Sequence, residues 1–482
     1  MRSRTAKWLL GIVMVLILFA LARTVVEGGA LGHDESAYAL EARAWIAGTP
    51  DTGWSLHRAP LLSALAVPIV AITESEVALR GLAVTLAIGA LLTMAAFAWR
   101  VGGAWTALLA VATVGGSLAF LRRGSELLTD VAAAGMLLGI VCIVVTVLRD
   151  PNRHARLALM LGPLVALAFY MRYQSALAIV AIAVATVVVA PGTVAALRRP
   201  LLISVGVTVV LIAPHLVWAN AVTGSPWGVV AATGDAAGRA YVGEGLTDYV
   251  SLFPLDLAGP AGATLMVIGV VWGVVTLWVG AREGTFEARL AGFTLIVAAL
   301  TVVPLGLVAH GEPRFVFFPV WLLIAIGAMA VVRIVEHLGR WLPTVVLTLA
   351  IVLWVPLFLL MATRADRNAE ARGSGFSIVT EAAELIEQDA AGSCGVVTSY
   401  LPQVTWYSTC FTHQFTPDSP ATELDDVDGD SRYVLFFENG KRQPAPGERQ
   451  AYLELGPVEE IESSDDSIGD ATIVDVIEET GA

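Results

Sequence analysis

The stretch Gly32-His33-Asp34-Glu35-Ser36-Ala37-Tyr38 directly follows the first hydrophobic segment of the chain. Its two adjacent carboxylates would lie where a membrane protein leaves the bilayer. The residues that follow predict a short helix, because Tyr38, Glu41 and Trp45 fall along one side of it. Aromatic residues at this level are typical of a helix in the membrane interface. The alternative is an ordinary solvated loop in which Asp34 caps a helix.

The composition is that of a polytopic membrane protein. Hydrophobic residues make up 56% of the 482 residues and charged residues only 15%, and the mean hydropathy is +0.74. The net charge of −13 is unevenly distributed, since the chain from Asp366 onward contains 24 acidic and 6 basic residues. A basic patch of the kind that binds nucleic acid is absent from the sequence, so we expect no nucleic-acid partner.

Eleven segments are long or apolar enough to suggest membrane spans, each of which needs about 20 mostly apolar residues. The fifth and sixth are short and could form a hairpin that does not fully cross. Residues 60–72 are apolar but short and contain Pro60 and Pro68, which indicates an interfacial or re-entrant segment. The eleven candidate spans are residues 8–24, 78–98, 104–121, 129–148, 157–171, 174–190, 201–219, 261–280, 290–309, 315–333 and 343–362.

The distribution of basic residues predicts the orientation of a multi-pass protein of the cell membrane. Arg2, Arg4 and Lys7 precede the first apolar run, which could be a secretory signal but is better read as an uncleaved first helix, given the many later spans. Short basic turns then alternate with longer loops, as the positive-inside rule requires. We therefore expect a cytoplasmic N-terminus, with Asp34 and the acidic C-terminal part outside.

We expect two domains, a membrane domain over residues 1–365 and an acidic, extracytoplasmic α/β domain over residues 366–482. The latter has a helical pattern from Ser377 to Gln388, with Ser377 as a cap, and an acidic loop from Leu424 to Ser431. An outer location would allow a disulfide between Cys394 and Cys410. The predicted strands are Cys394–Thr398, Tyr433–Phe437 and Thr472–Ile477.

Several arginines lie at the outer edges of the predicted spans, where the topology does not account for them. Charged groups at membrane depth are costly and usually face a cavity or a partner. The alternative is that each arginine reaches the surface or pairs with a nearby carboxylate. These outer arginines are Arg58, the adjacent Arg122 and Arg123, Arg172, and Arg314.

The order of these elements resembles the GT-C class of membrane glycosyltransferases, in particular the branch with the protein O-mannosyltransferases and aminoarabinose transferases of the ArnT type. The resemblance covers about residues 8–335. It is carried by Asp34-Glu35 after the first span, Arg58-Ala59-Pro60-Leu61, Asp130 at the end of the fourth span, and Glu312-Pro313-Arg314-Phe315 before a late span. Ala59 replaces the first proline of the family's Pro-Pro-Leu stretch.

The resemblance implies transfer of a sugar, with inversion, from a polyprenyl-phosphate carrier to a glycan, lipid or protein acceptor on the outer side. By resemblance Asp34 is the base that takes the acceptor proton, and Glu35 orients the acceptor or makes a second contact. Guanidinium groups would stabilise the leaving phosphate, Arg58 and Arg314 first, then Arg172 and the Arg122–Arg123 pair. The remaining candidate substrate contacts are Tyr38, Asp130 and Glu312.

Two further questions stay open at this point. A divalent metal is an alternative role for the acidic residues Asp34, Glu35, Glu126 and Asp130 with His33, although we favour no metal. A nucleotide site is not expected, because the sequence has neither a Walker A pattern nor a Gly-rich strand-to-helix fingerprint.

The alternative functions are a secondary transporter and a non-catalytic membrane protein. The sequence does not identify the sugar, the acceptor or the carrier.

Overall fold

The structure is a computed structural model that describes most of the chain. The described residues are 2–48, 58–236, 241–251, 253–280, 285–308, 311–339, 342–390, 392–415, 429–440, 443–463 and 467–476. The helices α1 to α19 of this part are, in order, Arg2–Val26, His33–Ala47, Leu61–Val70, Glu76–Gly115, Leu118–Gly124, Asp130–Arg149, Pro151–His154, Leu161–Met171, Ser175–Val189, Pro191–Ala196, Arg198–Thr223, Gly228–Ala236, Glu244–Ser251, Phe253–Gly280, Phe286–Val308, Phe317–Leu338, Leu342–Asp389, Leu401–Ser408 and Pro446–Leu453. Short 3₁₀ helices cover Ala155–Met160 and Pro313–Val316, and the strands β1 to β5 are Cys394–Thr398, Phe411–His413, Ser431–Phe437, Val458–Ile461 and Ala471–Asp475.

Within the described residues, nine helices are long and apolar enough to cross a membrane, so the predicted number of eleven is not confirmed. The short sixth candidate is helix α9, whose 15 residues extend for about 22 Å, less than the thickness of a bilayer core. The segment predicted to be interfacial is the short apolar helix α3. The nine are Arg4–Val26, Glu76–Gly115, Asp130–Arg149, Pro151–Met171, Arg198–Thr223, Glu244–Gly280, Phe286–Leu307, Pro313–Leu338 and Thr344–Asp389.

Helix α4 turns back on itself at Gly103, which has a φ of +83° that favours glycine. A Cβ built on Gly115 would lie 3.3 Å from Leu91 Cδ1. In a straight helix these two residues would be about 36 Å apart. The 40 residues of α4 are therefore two antiparallel arms. The first contains the predicted span 78–98, and the second contains the predicted span 104–121 as far as Gly115, after which the span continues into α5.

The chain forms two compact units that are not simple halves of the sequence. Unit 1 consists of Met1–Ala22, Leu56–Leu61 and Ala83–Ala365, whereas unit 2 consists of Arg23–Ser55, Leu62–Leu82 and Asp366–Ala482. Unit 2 thus includes helix α2 and most of α3, in addition to the residues after Ala365.

The core of unit 1 is built around helices α6 and α16. Every residue of α16 from Phe317 to Ala330 is buried. The fully buried Trp321 packs its ring against those of Phe120 and Phe317 at centroid distances of 5.8 and 5.4 Å. Helix α6 begins at Asp130, and Arg314 lies just before α16. The two most deeply buried helices therefore position two of the predicted site residues.

Unit 2 contains a mixed sheet of five strands within its described residues, in the order β2-β1-β3-β5-β4. Strand β1 is parallel to β2 and β3, and β5 is antiparallel to β3 and β4. The end of helix α17 covers one face, where Ile378 and Ile386 pack in the same core as Leu435 and Ile473.

Most local predictions for the C-terminal part are confirmed. The helical pattern and the three strands are present with small differences in their ends, and Cys394 and Cys410 form a disulfide. The predicted cap at Ser377 is wrong, because α17 continues through this residue and its hydroxyl donates to the Ser374 carbonyl at 2.6 Å. The acidic loop lies mostly outside the described residues, at 416–428.

Candidate active site

The predicted helix after the first hydrophobic segment is present as α2, and the alternative of a solvated loop is wrong. Residues Glu35–Ala42 are buried. Gly32 is the N-cap, and its backbone N–H donates to Glu35 Oε2 at 2.9 Å. Asp34 lies in the first turn and is half-buried. A carboxylate is favoured there by the helix dipole.

The carboxylate of Glu35 is held by a buried arginine that the sequence analysis did not single out. Arg80 donates from Nε to Glu35 Oε1 and from Nη2 to Oε2, both at 2.9 Å, and both side chains are at most 3% exposed. The same guanidinium donates to the carbonyls of Gly29 at 2.6 Å and Ala30 at 2.9 Å. Arg80 therefore holds in place both the loop residues before α2 and the first turn of α2.

The ionisation of Glu35 follows from this pair. Burial alone would raise its pKa, but the charge and hydrogen bonds of Arg80 outweigh burial and hold the pKa below the ordinary 4.5. Both carboxylate oxygens of Glu35 accept hydrogen bonds from Arg80, so Glu35 holds the first turn of α2 in place. Its contact with the acceptor stays a prediction.

Since the folded-state pKa of Glu35 is lowered, we predict a specific loss of stability in acid. The stabilisation is complete above the unfolded-state value of about 4.5 and disappears as the pH falls through the lower folded-state value. The apparent melting temperature in detergent should fall more steeply from about pH 5 to about pH 3 in the wild type than in Glu35→Gln. Parallel curves for the two proteins would contradict this assignment.

Helix α18 holds the other side of α2. Arg43 donates to the carbonyls of Thr405 at 2.6 Å and Trp406 at 2.9 Å, and its guanidinium lies 4.8 Å from the Trp406 ring centre. These carbonyls belong to the last turn of α18, where a cation is favoured. The C-terminal part thus supports the acidic helix.

Tyr407, which also lies on α18, links that helix to the residues before α2. Its hydroxyl accepts a hydrogen bond from the Leu31 N–H at 2.8 Å and donates to Glu76 Oε1 at 3.1 Å. Burial and the neighbouring Glu76 raise the pKa of Tyr407, so the hydroxyl remains protonated and can act as the donor. The disulfide between Cys394 and Cys410 links β1 to the residues just after α18.

Unit 1 brings three predicted site residues to one small cavity. Asp130, Arg172 and Arg314 all line it, and its volume is about 30 Å³. Arg172 Nη1 forms an ion pair with the buried Asp130, its Nε donates to Gln174 at 2.9 Å, and its guanidinium lies 4.9 Å from the Phe315 ring centre. Asp130 therefore orients Arg172 across 42 residues of sequence.

The residue after Arg58, Ala59, packs close to the chain segment that carries Arg172. Ala59 belongs to a buried cluster with Phe169 and Tyr173, and Tyr173 directly follows Arg172. The chain segments that carry Arg58 and Arg172 are therefore packed on one cluster.

Arg122, Arg123 and Arg314 each pair with a carboxylate close to them in the chain. Such pairing was the alternative to a cavity-facing role in the sequence analysis. Glu126 accepts from Arg122 at 3.2 Å and from Arg123 at 2.8 Å, and Glu312 pairs with Arg314 at 3.1 Å. Glu312 is also near enough to act on Arg122 electrostatically.

The predicted residues therefore occur in two sets. Asp34, Glu35 and Tyr38 lie on α2 of unit 2, whereas Arg58, Arg123, Asp130, Arg172, Glu312 and Arg314 lie in unit 1. That the two sets serve one reaction remains a prediction.

No group of three or more histidine, cysteine, aspartate or glutamate side chains is arranged to hold a metal ion within the part of the chain described. Three of the carboxylates considered as ligands, Glu35, Glu126 and Asp130, are each bound by an arginine.

Sequence comparison finds no protein-family model and no curated protein that matches the chain. Solved structures do match. The structure of ArnT from Cupriavidus metallidurans bound to undecaprenyl phosphate is similar with a TM-score of 0.67 and 13% identity, over 100% of both chains. The oligosaccharyltransferase AglB from Archaeoglobus fulgidus, in complex with an inhibitory peptide and a dolichol-phosphate, has a TM-score of 0.56 and 11% identity over 89% of this chain and 69% of that chain. The chain therefore has the fold of the GT-C class of membrane glycosyltransferases.

Proposed function

We propose that this protein is a multi-pass membrane glycosyltransferase that moves a sugar from a polyprenyl-phosphate carrier to an acceptor outside the cytoplasm. The observation that carries the proposal is the ion pair of Arg172 with the buried Asp130 beside Arg314, in a chain with the fold of ArnT bound to undecaprenyl phosphate.

The arginines of unit 1 suit the leaving phosphate. Arg172 and Arg314 are each paired with a carboxylate. Their side chains are still 17% and 25% exposed, and both line the cavity. A cavity of about 30 Å³ admits little more than a water molecule, and we therefore place the phosphate at its rim. Guanidinium groups oriented before the reaction stabilise the charge that develops as the sugar leaves.

Asp34 is the base in this proposal. The acceptor oxygen forms a bond to the anomeric carbon while the bond from that carbon to the carrier phosphate breaks, with inversion. The electron pair of the breaking bond goes to the phosphate oxygen, and the acceptor proton goes to the Asp34 carboxylate.

Turnover of the carrier tests the proposal directly. Purified protein in lipid vesicles is supplied with a polyprenyl-phosphate sugar and an acceptor extract, and release of polyprenyl phosphate is measured by mass spectrometry. We expect release to require both substrates. A nucleotide sugar that supports transfer in the absence of the carrier would refute the donor assignment.

We predict that Arg314→Ala and Arg172→Lys each lower kcat by on the order of 100-fold or more, because one oriented donor is lost from the leaving phosphate. Lysine keeps the charge at Arg172 and can still pair with Asp130, but it lacks the planar fork. The matched control is Arg333→Ala, which removes a half-exposed pair with Glu287 and should leave kcat nearly unchanged. Equal kcat values for Arg314→Ala and Arg333→Ala would exclude Arg314 from the phosphate site.

A further inference from the structure

A second cavity lies in unit 1, among helices α6, α8, α9, α10 and α11. Its volume is about 440 Å³, within the roughly 300–1,000 Å³ typical of small-molecule sites. The lining is almost entirely apolar and includes Val144, Leu161, Ile182, Leu197 and Leu201. Nothing in the proposed reaction uses this cavity.

The walls offer an occupant few polar partners. The hydroxyl of Thr186 donates to the Ile182 carbonyl at 2.7 Å, and that of Thr208 donates to the Ser204 carbonyl at 3.0 Å. Helices α8 and α11 approach closely, since a Cβ built on Gly162 would lie 2.6 Å from the Ser204 carbonyl oxygen. An apolar cavity between closely packed helices suits a hydrocarbon chain.

The cavity opens toward the lipid-facing surface. Three of its lining residues, Val187 on α9 and Val205 and Val209 on α11, are more than half exposed. Helix α11 also exposes Leu202 and Val210. A chain from a membrane lipid can therefore enter sideways between α9 and α11.

Positive charge accumulates at one end of the cavity, where four arginines have one carboxylate, Asp150, close to them in sequence. Arg153, Arg156, Arg198 and Arg199 are exposed, and three of them, Arg156, Arg198 and Arg199, lie within two residues of the lining residues Ala158 and Leu197. The Asp150 carboxylate accepts from the Arg153 backbone N–H at 3.2 Å, and the sequence contains no further aspartate or glutamate until Asp235. An anion that neutralises these arginines is therefore most readily supplied by the membrane.

We propose that this cavity binds one hydrocarbon chain of an anionic phospholipid, whose phosphate pairs with the arginines at its end. Basic pockets between membrane helices recognise anionic headgroups in this way. The site is distinct from the arginine cluster at the other end of α8. Ala158 and Arg172 are 14 residues apart in chain numbering, or about 20 Å along a helix.

Native mass spectrometry of the detergent-purified full chain tests the proposal, with phosphatidylglycerol and phosphatidylcholine as probes. We expect one phosphatidylglycerol to be retained, at least 10-fold more tightly than phosphatidylcholine. Ala183 lines the cavity and is exposed, so Ala183→Phe should fill the cavity without disturbing the buried core. This variant should lower the retention of phosphatidylglycerol at least 10-fold. Val187→Phe at the opening is a second filling variant, in case the first does not fold.

Charge variants separate the headgroup from the chain. Arg198→Gln/Arg199→Gln should abolish the preference for phosphatidylglycerol, whereas Arg2→Gln/Arg4→Gln, which removes the same charge from the first helix, should leave it unchanged. Equal retention of both lipids by the wild type, or undiminished retention by both filling variants, would overturn the proposal. Stronger retention of undecaprenyl phosphate than of phosphatidylglycerol would also overturn it, by assigning the cavity to a carrier lipid. Since lipid retention is the readout, failure here leaves the proposed glycosyl transfer unaffected.

Discussion

Asp34→Asn is expected to lower kcat by about 10²- to 10⁴-fold, the usual contribution of a positioned general base. The amide has nearly the same shape as the carboxylate but cannot take the acceptor proton. The effect should therefore appear in kcat, while the affinity for the carrier changes little. Release of polyprenyl phosphate under single-turnover conditions measures the chemical step directly.

The matched control for Asp34 is Glu27→Gln, an exposed carboxylate that precedes α2 in the same unit. It removes the same charge and should leave kcat unchanged. Melting curves of both variants establish that they are folded. If Asp34→Asn and the wild type turned over at equal rates, another group would have to act as the base.

The largest expected effect on stability is that of Arg80→Met. It leaves the Glu35 carboxylate buried with its main partner removed, and breaking a buried ion pair in this way costs about 3–5 kcal/mol. The carbonyls of Gly29 and Ala30 lose their donors as well. We expect a large fall in the free energy of unfolding and reduced turnover, because the first turn of α2 carries Asp34.

A double variant distinguishes the ion pair from simple packing. Glu35→Met/Arg80→Met replaces both charges with apolar groups and should be more stable than Arg80→Met alone. Arg367→Met, an exposed arginine in the same unit, controls for the loss of charge and should have little effect. A double variant that is less stable than both single variants would show that the pair is not the source of the stability.

Features that depend on local pattern were predictable from the sequence. Apolar runs indicate the membrane helices, the residues around Tyr38 and Glu41 indicate α2, and alternation indicates three of the strands. Strand β4 was missed because Val458-Glu459-Glu460-Ile461 has two central acidic residues and no apolar alternation.

The support of the candidate site was not predictable, since it depends on residues far apart in the chain. Arg80 follows no motif, and its partner Glu35 lies 45 residues away. A charge within a predicted span was the one available signal. The contact of Leu31 with Tyr407 spans 376 residues, and a single sequence contains no information about such pairs.

The contact between Leu31 and Tyr407 also has a consequence for biosynthesis. At about 5–20 residues per second, a ribosome needs roughly 20–75 s to make the 376 residues between them. During that time α2 has already left the exit tunnel but lacks the helix against which it packs. A nascent chain therefore cannot form this contact until Tyr407 has been translated, and a chain that terminates before Tyr407 should leave α2 without it.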